Sequence, residues 1–205
     1  MDKSKSEHTI LGLLRTQTRQ QHDRIEKSLD LTNGAETVDE YRNLLERFFG
    51  FYAPTEPLAA AIAAFEGVRF DFAPRLKTPH LQTDLLARGL SVEQIAQLPI
   101  CKNLPVIETP AQFFGYLYVA EGSTLGGQII SRHFAQKLDI SEENGGMFFQ
   151  AYGAQTGAMW RGFQTAITDF AEDGTHEDEI IAAAIETFEK LQIWMEAQKK
   201  LSASR

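Results

Sequence analysis

The chain has 205 residues, 43% of them hydrophobic, and a net charge of −8, which suits one domain over residues 1–205 with an ordinary core and excludes a disordered polymer. Its acidic balance lacks the basic footprint that nucleic acid demands, and nowhere do eighteen apolar residues run together to span a membrane. A single cysteine, Cys101, cannot form an internal disulfide.

The N-terminal MDKSKSEHT is polar and carries no apolar secretion stretch. A cytoplasmic protein with a flexible tail over residues 1–7 is expected. The first predicted helix runs from about His8 to Asp30 and ends at the turn signal Thr32-Asn33-Gly34. A second begins near Val38 and continues through YRNLLERFFGFY until Pro54 and Pro57 interrupt it, with LAAAIAAFEG as a separate helical piece. Pro74, Pro79, Pro99 and Pro105 break the next stretch into short helices, one opened by a Ser91/Gln94 capping box. Thr109-Pro110 supplies an N-cap and a first-position proline for a long helix to about Leu138. After Asn144-Gly145-Gly146, one or two helices carry MFFQAYGAQTGAMWRGFQTAITDF. The last helix starts near Thr175 and Asp178 and runs to about Lys200. No alternating strand pattern occurs, so the predicted fold class is all-α.

Within the first helix Leu11, Leu14, Thr18, His22, Ile25 and Leu29 fall at steps of three and four and share one face. His22 therefore occupies a core position, either as a core histidine satisfied by one hydrogen bond or as a ligand. Glu26 lies one turn on, where a metal-binding imidazole commonly finds the acceptor for its second nitrogen. Arg15 lies seven residues back, about 10 Å along the axis. Each also has a plain reading, Glu26 in a surface pair and Arg15 in solvent. Arg15, Arg19, Arg24 and Lys27 form a local basic cluster, which is either a solvated face or a landing place for an acidic electron-transfer protein.

The long helix carries Gly115, Gly122, Gly126 and Gly127, each costing about 1 kcal/mol relative to alanine. Positions 115, 122 and 126 share a face. A bare helical face admits another helix or a flat ligand, and the pattern alone leaves both open. Other chemistries find no support. GSTLGGQ lacks the Walker lysine and the GxGxxG spacing, and Ser123 is in no GxSxG elbow. No Glu-x-x-His pairs suggest a di-iron site, and no His-x-x-x-His or cysteine pair suggests zinc.

Taken together, LRTQTRQQHDRIEKSL and, about a hundred residues later, YVAEGSTLGGQIISRHF resemble the heme oxygenase family, most closely its bacterial branch associated with bacteriophytochromes. The resemblance covers most of the chain and implies a helical bundle holding heme between a proximal helix and a glycine-kinked distal one. It implies that His22 binds the iron, that Glu26 holds the other imidazole nitrogen, and that Arg15 and Arg161 of MWRGF meet the propionates. Gly122, Gly126 and Gly127 match the glycines of the distal helix over the heme face. Ser123 stands where many members have an aspartate that organises water, a departure shared by the phytochrome-associated branch; neighbouring Glu121 is about 100° round the helix and substitutes poorly. Heme would be both cofactor and substrate, with no other metal. It would be opened by oxygen to biliverdin, ferrous iron and carbon monoxide, with electrons from a ferredoxin or reductase. A non-catalytic heme carrier or sensor shares the same features, and a helical interaction protein without cofactor would use the glycines for packing alone.

Overall fold

The computed structural model describes residues 8–29 and 35–202, and among them regular structure is entirely helical. Thr9 caps α1 (Ile10–Gln17), its hydroxyl accepting from the Gly12 N–H at 3.2 Å. The expected single first helix is broken at Thr18, and α2 (Arg19–Leu29) follows. At the break the Thr18 hydroxyl bonds back to the Leu14 carbonyl at 2.7 Å, a local competitor to the helical ladder. The end expected at Asp30 and the turn at Thr32-Asn33-Gly34 lie outside the described residues.

A Thr37/Glu40 capping box opens α3 (Val38–Ala63), which continues through both Pro54 and Pro57. This corrects the expected interruption, and the physical reason is tertiary. Proline at 54 leaves the Gly50 carbonyl without its helical donor. The Cys101 N–H, from the loop after the short helices, fills that vacancy at 2.8 Å.

A 3-10 turn (Ala73–Arg75), α4 (Thr78–Ala87) and α5 (Val92–Ala96) occupy the proline-rich middle, with the Ser91/Gln94 box in place. Thr109 caps α6 (Pro110–Leu138), as expected, and the backbone stays helical through all four glycines. Two pieces follow, α7 (Met147–Gln150) and α8 (Thr156–Phe170). The last helix, α9 (Glu177–Ser202), starts without the expected Thr175/Asp178 signal. Thr175 instead bonds Asp173 through both its N–H (3.0 Å) and its hydroxyl (2.8 Å).

The core forms where α6 lies along α9, with α2 and α3 also packed on α9 and α7 on α6. Gly115 permits the α6–α9 approach: a Cβ there would sit 2.5 Å from the Ile180 carbonyl oxygen and 2.6 Å from the Ala183 Cβ. Gly127 does the same for α7, since its Cβ would lie 2.6 Å from the Phe149 carbonyl oxygen. Buried Asp84 of α4 completes the placement of α7, accepting the N–H groups of Met147 (2.9 Å) and Phe148 (2.8 Å).

Burial outweighs those donors and Arg88, so the Asp84 carboxyl is pushed up to about 6 from 3.8. Folded Asp84 thus keeps a proton that the unfolded chain releases earlier. The associated stability is complete below the unfolded value and lost as pH rises through about 6. Relative to Asp84→Asn, the wild-type protein is expected to lose stability between about pH 4 and pH 7, measured by urea unfolding at both. A pH-independent difference would show that Asp84 titrates normally.

Candidate functional site

A cavity of about 330 Å³ opens between α2 on one side and the middle of α6 on the other. Ile25 and Leu29 of α2, with Phe188 and Leu191 of α9, line its first wall beside His22 and Glu26. Gly122 through Gly127 of α6 line the second, and Phe48, Tyr52, Phe148, Phe149, Tyr118 and Trp160 close the ends. The lining is chiefly aromatic and aliphatic, with a few polar groups, which suits a flat apolar ligand carrying polar substituents.

His22 is not the packed core residue its position on the stripe implied. Leu14, Thr18 and Ile25 of that stripe are buried, whereas the His22 side chain is 53% exposed. The stripe turns at His22 from core to cavity, with the imidazole edge-on to Phe188 at 6.0 Å. Its Nδ1 lies 3.6 Å from the Glu26 carboxylate. That is ion-pair distance and slightly long for a hydrogen bond. The Nε2 remains for a ligand. Asp23 stands close by, but all three side chains are exposed, an ordinary arrangement for helix-surface charges.

The shared glycine face resolves into three different neighbours along α6. Gly115 serves helix packing. At Gly122 a Cβ would meet only Trp160, at 3.9 Å, and at Gly126 it would meet nothing within 4 Å. Gly122 and Gly126 therefore present bare backbone to open space across the cavity from His22, whereas a Cβ at Gly127 would run into α7. Of the two uses that sequence left open, helix packing accounts for Gly115 and Gly127, while Gly122 and Gly126 face open space. Ser123 also lines the cavity; its hydroxyl donates to the Ala120 carbonyl at 2.9 Å and faces Tyr52. Burial raises the Tyr52 hydroxyl above its ordinary range despite that Ser123 contact.

Arg15 and Arg161 are exposed and neither is among the lining residues. Arg15 nevertheless acts on Tyr118 at the cavity rim, where its charge partly offsets the upward push of burial on the phenol. Arg161 follows Trp160 on α8 and reaches toward Gly157 of its own helix.

Glu121 points away from the cavity, as the helical angle required, and is 1% exposed. It is not idle there. Arg75 bonds one carboxylate oxygen, and Lys77 (2.9 Å) and the Tyr152 hydroxyl (2.6 Å) bond the other. Lys77 in turn lines the cavity. Sequence reading missed Lys77 and Tyr152 because they lie 44 and 31 residues from Glu121 along the chain.

A family model described as heme oxygenase matches residues 8–197 of the chain. The fold is similar to that of the NO- and CO-bound heme oxygenase from Neisseria meningitidis (23% identity, TM-score 0.76, covering 97% of this chain and 96% of that one). It is also similar to heme oxygenase-1 from the cyanobacterium Synechocystis in complex with heme (15%, 0.75, 96% and 95%). Heme oxygenase from Leptospira interrogans matches likewise (19%, 0.73, 92% and 99%). No curated protein matches the chain in sequence.

Proposed function

The chain belongs to the heme oxygenase family, and from that premise we propose that it binds one heme through His22 and cleaves it oxidatively to biliverdin. The observation that carries this reading is the pairing of an open imidazole with bare backbone across one apolar slot: His22 faces the cavity on α2, and Gly122 and Gly126 leave the opposite wall free of side chains. A flat apolar ring suits such a slot, and a Cβ at Gly126 would project into open space there.

When bound, heme supplies the iron that activates oxygen and the porphyrin that is opened, releasing ferrous iron and carbon monoxide with electrons from an external ferredoxin or reductase. The protein's share is to hold and enclose. Glu26, 3.6 Å from Nδ1 of His22, stands where a small approach would let it accept that N–H, fix the tautomer and leave Nε2 for iron. Phe188, Ile25 and Leu29 exclude water on the His22 side. With no side chain at Gly122 or Gly126, the α6 backbone itself would be the wall against a small ligand bound opposite His22. Arg15 and Arg161 flank the Tyr118–Trp160 end, where their charges suit propionates. A cytoplasmic setting is part of this reading and agrees with Cys101 as a buried free thiol.

One observation favours a heme carrier instead: Ser123, engaged with its own helix, offers no acid on the bare wall. Heme titration followed by reductant and oxygen separates the two, because a carrier returns its heme intact. Glu26→Gln adds a finer check. It is expected to bind heme with a shifted iron–histidine stretching frequency and turnover slower by about tenfold. An identical frequency would show that Glu26 does not act on His22.

A further inference from the structure

A second cavity, of about 440 Å³, opens to solvent on the far side of α7 and is lined by Pro74, His80, Met147, Tyr152 and Met159, among others. A small buried polar cluster separates it from the heme cavity. Lys77 is in the inner wall and Tyr152 in the outer one. The Lys77 ammonium donates to the Tyr152 hydroxyl at 2.6 Å and to Glu121 at 2.9 Å, and Tyr152 donates to the same Glu121 oxygen at 2.6 Å. We propose that Lys77 and Tyr152 form a proton-conducting bridge from the outer cavity to the heme cavity, with Lys77 the donor on the heme side. The proposal rests on the heme oxygenase reading, since it is heme cleavage that draws protons from this cavity.

Three features set the bridge apart from an ordinary structural ion pair. Lys77 has a side chain only 7% exposed, and a buried pair is weak support for stability, often replaceable by apolar residues without loss. Arg75 already neutralises the other oxygen of Glu121, so the cluster tolerates loss of the Lys77 proton without leaving a bare carboxylate. Glu56, from α3, accepts the backbone N–H groups of Lys77 and Thr78, the latter at 3.1 Å, and fixes the chain where the lysine turns inward. The outer end is held with equal care. Ala151, just before Tyr152, has φ 52° and ψ −108°, a strained backbone conformation that persists only when its surroundings demand it.

The charged and titratable groups facing Lys77 are Glu121 from α6, Glu56 from α3, Arg75 and His80 from its own side, and Tyr152 from the loop after α7. Burial lowers the Lys77 ammonium below its ordinary range, with the carboxylates opposing. Burial thus loosens the Lys77 proton while it tightens those of the Tyr52 and Tyr118 hydroxyls in the same cavity. In one transfer, Nζ of Lys77 gives a proton to an acceptor in the heme cavity and becomes a neutral amine. The Tyr152 hydroxyl, which at rest accepts from Lys77 and donates to Glu121, swings its O–H from Glu121 to Nζ and gives up that proton, while its oxygen takes one from water in the outer cavity and hydroxide leaves to solvent. One proton crosses, and both side chains end as they began.

The test uses the full heme-loaded chain and the variants Lys77→Arg, Lys77→Met, Lys77→Ala and Tyr152→Phe. All are expected to bind one heme. Lys77→Met is expected to raise the acid–alkaline midpoint of the ferric heme spectrum by about one pH unit, because a cation beside the cavity is lost. Lys77→Arg keeps the charge and the midpoint, yet arginine cannot surrender its proton. Turnover is therefore expected to fall at least about tenfold in Lys77→Arg, Lys77→Met and Tyr152→Phe alike. Small primary amines should restore Lys77→Ala in an order that follows their acidity. Wild-type turnover in Lys77→Arg would reduce the lysine to a fixed charge and overturn the bridge, and wild-type turnover in Tyr152→Phe would overturn its outer half. Should the wild-type chain bind no heme, the functional reading fails and the bridge with it.

Discussion

Replacing His22 with alanine is expected to abolish the histidine-ligated heme spectrum and to cut turnover by at least about a hundredfold. Among the described histidines it is the one that lines the cavity between α2 and α6; His80 faces the outer cavity instead. The fold should not suffer. The His22 side chain is half exposed on α2, and alanine is the better helix former, so the melting temperature of the heme-free protein is expected to hold or rise. Added imidazole should enter the vacated space and restore the ferrous spectrum. An unchanged ferrous spectrum in His22→Ala would remove the iron from α2 altogether.

The second large effect separates two adjacent glycines. A side chain at Gly126 projects into open space in the cavity, whereas one at Gly127 meets the Phe149 carbonyl. Gly126→Leu is expected to leave the heme-free protein as stable or more stable by up to about 1 kcal/mol, since leucine is favoured over glycine in a helix. It should keep the His22 bond and weaken carbon monoxide binding at the opposite face by at least about tenfold. Gly127→Ala is expected to do the reverse, destabilising the fold by about 1–3 kcal/mol through overpacking of α7. Thermal melting beside carbon monoxide titration distinguishes them. A lower melting temperature with normal ligand binding in Gly126→Leu would mean that the bare face serves packing after all.

These contrasts mark what the sequence could and could not disclose. The start of α6 was legible because its determinants are local: Thr109, Pro110 and Gln112 complete a capping box within four residues. Ser91 and Gln94 are equally local. The continuity of α3 was not, because the donor that rescues the Gly50 carbonyl from Pro54 is Cys101, in a loop fifty residues downstream. The break at Thr18 carries no local mark either, since the same hydroxyl-to-carbonyl bond occurs at Thr55 and Thr187 within unbroken helices.

The site divides in the same way. His22, Glu26, Gly122 and Gly126 were visible because each lies on a helical face whose angle is fixed by spacing. Their exposure was not, because an apolar stripe reads alike whether it faces a core or a ligand slot. Lys77 gave no signal at all. Its meaning comes from Glu121, Glu56 and Tyr152, three residues on separate elements that only the packed bundle brings to one lysine.

Product analysis after heme loading tests the central claim most directly. The protein is loaded with one equivalent of heme without oxygen, then given oxygen, ferredoxin and its reductase, and the pigments are resolved by chromatography while carbon monoxide is trapped. The account predicts loss of the heme absorption, one biliverdin and one carbon monoxide for each heme consumed, and no product from His22→Ala. Recovery of intact heme from the fully reduced, oxygen-supplied wild-type protein would contradict it.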